Sequence, residues 1–420
     1  MNEIAPPPGA PQPAADAVVA RVEFVSERRA FFRLLARGAL LQLLTFGFYR
    51  FWLITDIRRH LWTHTRADGD SFEYTGRATE LLIGFLIAMA ILAPIYVVYF
   101  LAGVEAERLQ AFLSIPLFLL LYVFGHFAIY RSRRYRLTRT IWRGVRFWMD
   151  GSGWAYALRV LAWSPLVLLT AGLAYPWRAA ALERYKMRHT HYGDLKGDFV
   201  GRGGDLFRRI WWLILIAFAG ALAIGLTVVV SIFTDDPEDV FSPGVVAGIG
   251  LVIVASMLAL PVLLPIYRAI EWRWWAEGAR LGEARLTCDL SKGALLKLYF
   301  KAIFAAIGVT LAFALVAFLF GGAVLQLGTG MGMPDPGAIA AGRMPAIGVV
   351  SIAGIVLLYL GFILALNATT QLYLQHDYWR DVATSLSLVG LQGMRAAAQS
   401  GEAANAIGEG LADGLDVAGF

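Results

Sequence analysis

The chain has 420 residues, 58% of them hydrophobic and only 16% charged, with a mean hydropathy of +0.60. That is more apolar side chain than a soluble core encloses, so soluble globular and disordered classes are excluded and a bilayer is expected. A net charge of +6 would suit nucleic acid, but the arginines stand beside apolar runs rich in Trp and Tyr, as in cytoplasmic loops of membrane proteins, and no nucleic-acid partner is expected.

Residues 1–30 open with Pro6-Pro7-Pro8, Pro11 and Pro13 in an Ala-rich stretch, with no basic segment leading into an apolar one. They read as a disordered cytoplasmic tail rather than a cleaved signal. The first apolar run, 38–49, would reach only about 18 Å as a helix, too short for a hydrocarbon core of about 30 Å. Six later runs are long enough: 81–102, 109–130, 210–233, 245–267, 302–327 and 346–366. Another short run, 160–175, contains Pro165. Arg58, Arg59, Arg66 and Arg77 follow the first short run, Arg131 to Arg146 precede the second, and Arg178 to Arg202 follow it. All three basic stretches want the cytoplasm. The short runs are therefore re-entrant or interfacial, since a full crossing at 160–175 would put one basic stretch outside. The loops 103–108, 234–243 and 328–345 are poor in Lys and Arg and are expected outside. Both termini are inside, with 371–389 an amphipathic surface segment and a loose tail after it.

Leu41, Thr45, Gly47, Trp52, Arg59, His64 and Gly76 recur 125 positions later as Leu166, Thr170, Gly172, Trp177, Arg184, His189 and Gly201. An offset of 75 pairs Arg58 and Arg59 with Arg133 and Arg134, and a weaker copy pairs Arg184 with Arg273. Four basic cassettes result. Each has a helix-like first half and a second half, such as Gly69-Asp70-Ser71-Phe72-Glu73-Tyr74-Thr75-Gly76, that alternates between glycines like a strand or hairpin. The expected fold is an all-α polytopic membrane protein. It has six full transmembrane helices in three hairpins, two short re-entrant or interfacial segments, small β-hairpin-like cytoplasmic cassettes and two parallel internal repeats. Its parts are a tail at 1–30, repeat units at 31–154 and 155–300, a final hairpin at 301–370 and the segment 371–420.

Thr45-Phe46-Gly47-Phe48-Tyr49-Arg50-Phe51-Trp52, Arg58-Arg59-His60-Leu61-Trp62, the Gly69–Gly76 motif, Glu80-Leu81-Leu82 and Leu169-Thr170-Ala171-Gly172-Leu173-Ala174-Tyr175-Pro176-Trp177 carry a resemblance. With them the chain resembles the YjgN-like family of bacterial inner-membrane proteins, over most of 31–207. The resemblance implies an inner-membrane location and, for a family without an assigned activity, no catalytic residues to carry over.

Candidate residues follow from the pattern. Thr45, Gly47, Thr170 and Gly172 could line a path at half-membrane elements. Arg59, Arg134, Arg184 and Arg273 have the planar fork that grips lipid phosphate, although simple topogenesis also explains them. Trp52 and Trp177 suit interfacial anchors. Glu80 and Asp205 stand at span entrances, where capping or coupling of a cation would place a carboxylate. His60, His64 and Asp68 have the i, i+4, i+8 spacing of one helix face, but the 125-residue copy keeps only His64, so no metal is expected. His126 and Asn367 suit helix–helix hydrogen bonds. Cys288 is alone, and no cofactor is expected. With no phosphate-binding loop, metalloprotease helix or nucleophile elbow, the chain reads as a non-enzyme. Two functions remain: a transporter or channel-like protein for a small solute, and a non-transporting scaffold that binds anionic lipid.

Overall fold

The computed structural model describes residues 19–105, 107–234, 243–330 and 346–401. The chain begins with β1 (Val19–Phe24), then α1 (Arg28–Leu44) and α2 (Arg50–Thr63). The hairpin β2 (Thr65–Ala67) and β3 (Asp70–Tyr74) leads to α3 (Ala78–Glu105) and α4 (Glu107–Thr138). Next come β4 (Thr140–Trp142), β5 (Val145–Met149), α5 (Gly153–Leu169) and α6 (Tyr175–Arg188). They are followed by β6 (Thr190–Tyr192), β7 (Leu195–Phe199), α7 (Gly203–Thr234) and α8 (Pro243–Gly278). The last hairpin, β8 (Ala279–Leu281) and β9 (Ala284–Cys288), enters α9 (Lys292–Gly330), and α10 (Ala346–Gln371) returns. A π-helical turn, Leu372–Asp377, carries α10 into α11 (Tyr378–Thr384), β10 (Leu386–Val389) and the short α12 (Gln392–Arg395).

Each cassette is thus the end of an incoming helix, a β-hairpin and the start of an outgoing helix. The hairpins turn in two residues, and at Asp68-Gly69 and Arg143-Gly144 both have positive φ. Such turns have the twist that lets flanking strands pair without splaying. Three- and five-residue strands hold only local alternation in sequence. Their edges, however, pair with the next hairpin, and β1 with β10, so all ten strands close into one antiparallel barrel. The expectation of an all-α protein with separate small hairpins is corrected here, because barrel closure rests on pairings between cassettes that no local pattern encodes.

The closure includes both ends of the described chain. After each outgoing strand, the next N–H donates to the carbonyl just before the neighbouring hairpin. The pairs are Val25 to His64 (2.9 Å), Thr75 to Arg139 (2.9 Å), Asp150 to His189 (3.0 Å), Val200 to Gly278 (2.9 Å) and Asp289 to Ser385 (3.0 Å). One linkage thus occurs five times, and β10 with β1 forms the fifth strand pair, held together by Val19↔Val389 and its neighbours in register. Val19–Phe24 is therefore a strand where a disordered tail was expected. Segment 371–389 is likewise not a surface piece: His376, Asp377, Val382 and Ala383 are buried and β10 sits in the barrel. Its amphipathic pattern faces the barrel base instead of lipid.

Burial alternates along β1, β2 and β4, and Ala20, Val22, Ala67, Trp142, Tyr192 and Ala284 form one apolar core inside the barrel. Leu391 and Met394, just past β10, complete that core. The segment after them crosses the hairpin turns: Arg395 bonds Asp68 (2.6 Å), Asp194 and Ala398 exchange two hydrogen bonds, and Gln399 accepts from the Arg146 amide (2.7 Å). The turn end of the barrel is thereby stoppered.

From the other end the helices leave in antiparallel pairs, α1–α2, α3–α4, α5–α6, α7–α8 and α9–α10. Among the described residues five helices are long and apolar enough to cross a membrane: Ala78–Ala102, Leu113–Thr138, Val246–Gly278, Lys292–Leu327 and Gly348–Thr384. They make this a polytopic membrane protein. The remaining expected span, 210–233, is helical within α7 but is not among those five. The two short runs become α1–α2 and α5–α6, whose tips bear exposed Leu44, Phe46, Phe48, Leu168 and Leu169. Each tip closes with a Gly amide reaching back five residues, Gly47 to Gln42 and Gly172 to Val167, both 2.7 Å. Of the expected outer loops, 235–242 and 331–345 lie outside the described residues, as do 1–18 and 402–420.

Candidate functional site: arginine pockets around the barrel base

The ring brings together residues that the sequence separates. Arg59, Arg134, Arg184 and Arg273 each stand five positions before the carbonyl that receives the inter-unit hydrogen bond, and Arg380 supplies a fifth equivalent that sequence reading missed. Three of them donate to the carbonyl at the exit of their own hairpin: Arg59 to Gly76 (3.0 Å), Arg184 to Gly201 (3.4 Å) and Arg273 to Asp289 (3.4 Å). Part of each fork therefore pins a hairpin to its incoming helix. The next residue ties adjoining units: His60 to Ser26 (2.8 Å), Tyr135 to Glu80 (2.8 Å), Tyr185 to the Ser152 carbonyl (2.9 Å) and Trp274 to the Arg202 carbonyl (3.1 Å).

Arg184 borders two pockets at once. One, of about 430 Å³, lies at the first turn of α5 and is lined by Ser152, Arg159, Arg184, Arg188 and His189. The Arg159 guanidinium lies 4.1 Å over the Tyr185 ring, which holds it in the groove. The other, of about 510 Å³, lies at the first turn of α7 and is lined by Trp163, Trp177, Arg184, Arg202, Asp205 and Arg208. Both pockets combine guanidinium groups with the positive end of a helix, and the second adds indoles at its rim. Three expected residues, Arg184, Trp177 and Asp205, thus share one place.

The rest are dispersed. Thr45 and Thr170 sit at the hairpin tips, where each hydroxyl donates to its own helix (Leu41 and Leu166 carbonyls, 2.7 Å) and accepts from the amide four residues on. Gly172 borders an apolar groove of about 370 Å³ beside α7, with Tyr175 and Phe218. Trp52 stacks on Tyr49 at 6.2 Å. Glu80 is ion-paired with Arg139 at 3.0 Å in the first turn of α3. Asn367 accepts from Gln371 one turn later in its own helix (2.6 Å), and His126 packs edge-on against Tyr122.

His60, His64 and Asp68 do not share a helix face, since α2 ends at Thr63 and Asp68 lies in the β2–β3 turn, bound to Arg143 and Arg395. The Arg395 hydrogen bond and Arg143 hold the Asp68 carboxyl below its usual value against its partial burial. Among the described residues no group of three His, Cys, Asp or Glu is placed to hold a metal. His60 instead joins a seam between chain ends: Ser26 bridges it to His376 (2.8 and 3.1 Å), and His376 bonds Asp377 (2.9 Å), which pairs with Arg28 (3.2 Å). Burial, with His64 and His376 alongside, holds the His60 ring down at about 4. Between pH 6.5 and 4 the unfolded chain binds a proton here that the folded one refuses, so stability is expected to fall as pH falls through that window and to level below it. The His60→Gln variant should show a flatter thermal midpoint over that range than the parent; parallel curves would reject this assignment.

Above this seam the barrel holds a further cavity of about 440 Å³, walled by Trp62, Trp142, Trp272, Trp275 and Trp379 among other apolar groups. The thirteen Trp and sixteen Tyr of the sequence as a whole fit interfacial belts, but these five line the barrel cavity. Trp62 stacks on Trp379 at 4.9 Å, and both bond barrel threonines, Trp62 to Thr140 (2.9 Å) and Trp379 to Thr65 (2.8 Å).

Over residues 19–414, and so through all ten strands, the sequence matches a family described as bacterial protein of unknown function (DUF898). The chain belongs to that family. The match starts at the first residue of β1 and runs past α12, so in DUF898 terms the barrel-closing strands and the stopper are inside the family region. No curated protein and no solved structure matches the chain.

Proposed function

We propose that the protein is a non-enzymatic, multi-pass bacterial inner-membrane protein that binds anionic phospholipid headgroups at the base of its barrel. The observation that carries this reading is the position of Arg184 between two cationic pockets, each at a helix N-terminus, one of them rimmed by Trp163 and Trp177. A phosphodiester suits such a place: guanidinium forks and first-turn amides meet its oxygens, while the indoles sit at headgroup depth. The orientation belongs to the same proposal. The barrel, which carries the basic cassettes, faces the cytoplasm with both termini, and α7 supplies a sixth span. The parallel repeats are then two of a short and a long hairpin each, with α9–α10 completing five units around one axis.

A solute path along that axis is the alternative function. It would have to pass the buried cluster of Trp142, Tyr192, Leu391 and Met394 at the turn end of the barrel, and the threonines expected to line it bond their own helices. Lipid co-purifying with the full-length protein tests the choice. Arg184→Ala with Arg202→Gln is expected to lower bound phosphatidylglycerol at least about tenfold by native mass spectrometry, with Arg184→Lys only partly restoring it. Unchanged lipid, or solute flux in proteoliposomes, would overturn the reading.

A further inference from the structure

The barrel cavity shares no residue with the Arg184 pockets and has a different chemistry. Its volume of about 440 Å³ is that of a small-molecule site, roughly 300–1,000 Å³. The wall is mostly aromatic and aliphatic, with Trp62, Trp275, Trp379, Phe147, Met187 and Leu388 prominent; Arg133, Arg280, Arg285 and Gln375 also line it, Arg280 donating to the Glu277 and Ala279 carbonyls. Two of the lining residues each hold a buried polar atom with no hydrogen-bond partner, the Arg133 Nε donor and the Gln375 Oε1 acceptor. Buried polar groups in native proteins are almost always paired, so an orphan donor and an orphan acceptor on two residues that line one apolar cavity call for a partner that does both.

The charge of Arg133 does not ask for an anion. Burial pushes the Glu183 carboxyl up, but Lys186 and Arg133 outweigh it and hold Glu183 ionised below the usual range. Arg133 therefore already faces a carboxylate. A hydroxyl accepts from one group and donates to another, whereas a carboxylate would leave Gln375 Oε1 without a donor. Leu391, Met394 and the strap beyond them close the turn end, which leaves the helix end as the side for entry.

We propose that the barrel cavity is a binding site for a neutral, hydroxyl-bearing single-chain amphiphile, its apolar body among the tryptophans and its head between Arg133 and Gln375. A variant that fills the cavity follows by analogy within the ring. Leu137 stands where Trp62 stands in the preceding unit, and Thr190 stands where Thr140 accepts from Trp62, so Leu137→Trp places an indole with an acceptor in reach.

The test uses the full chain in phosphatidylcholine nanodiscs with a hexadecanol bearing a mid-chain diazirine. After illumination, labelled peptides should include Trp62, Met187, Trp275 or Trp379, and excess hexadecanol should displace the label while hexadecane does so less well. Leu137→Trp should lower cavity labelling at least about tenfold, and Gln375→Leu should weaken displacement by hexadecanol roughly three- to tenfold without changing that by hexadecane. Label confined to lipid-facing side chains such as Phe118 and Leu258 would overturn the site. So would undiminished cavity labelling in a folded Leu137→Trp protein. If that variant does not fold, Gln375→Leu decides alone, unchanged displacement overturning the proposal. Hexadecanoate displacing better than hexadecanol would overturn the choice of head. Arg184→Ala leaves these results unchanged, so this site and the headgroup pockets stand or fall separately.

Discussion

A chain that begins at Phe24 or later is expected to lose its barrel, whereas one that begins at Val19 keeps all ten strands. β1 pairs with β10 on one side and with β2 on the other, and it buries Ala20 and Val22 in the barrel core. Removing it opens two unpaired edges and strips one wall from the tryptophan cavity. Several backbone hydrogen bonds at about 1 kcal/mol each, together with the lost burial, come to about 5 kcal/mol or more. That is comparable with the whole stability of an ordinary domain. In detergent the shortened protein should run as soluble aggregate on gel filtration and show no cooperative thermal transition. A monodisperse profile and an unchanged midpoint would mean that ring closure contributes little.

The second large effect is expected at the crossing of α6 and α7. A Cβ at Gly203 would lie 2.7 Å from the Trp177 Cα, 2.9 Å from its N and 3.0 Å from the Pro176 carbonyl oxygen. These are backbone atoms that cannot swing aside, so either α7 withdraws from α6 or the packing carries strain. Gly203→Val is expected to cost about 3 kcal/mol or more and to widen the Arg184–Arg202 pocket beside it. Next to it, a Cβ at Gly204 meets nothing within 4 Å, so Gly204→Ala should be neutral or gain up to about 1 kcal/mol from helix propensity. Comparing the two variants by thermal unfolding in one detergent separates close approach from general intolerance of change; equal midpoints would refute the packing account.

Local features of the barrel were legible in sequence, and its closure was not. Gly69–Gly76 announced a hairpin because turn chemistry and alternation sit within eight residues. Val19 to Phe24 also alternates, with Arg21 and Glu23 outward and Ala20 and Val22 inward, and Leu386-Ser387-Leu388 alternates apolar and polar in sequence. Each stretch is short and its partner lies at the opposite end of the chain, so neither pattern points to the other. The same distance hid Arg380 from the arginine series. Arg184, Trp177 and Asp205 were visible as recurring or boundary residues, but Arg159 and Arg208 became site residues only when α5, α6 and α7 came together. The tryptophans misled for a physical reason: an indole is equally suited to a membrane interface and to a buried apolar wall with a threonine to bond.

The pairing of β1 with β10 also sets an order of events during synthesis. β1 leaves the ribosome before the other nine strands, but its partner is made only after residues 25–385, a wait of about 20–70 s at roughly 5–20 residues per second. For that interval β1 presents a bare edge, the kind of surface that recruits foreign strands. Its outward residues, Arg21 and Glu23, carry opposite charges that disfavour stacking against a neutral stranger, while inward Ala20 and Val22 are small and offer it little to grip. The nascent chain thus carries its own protection until its last strand arrives.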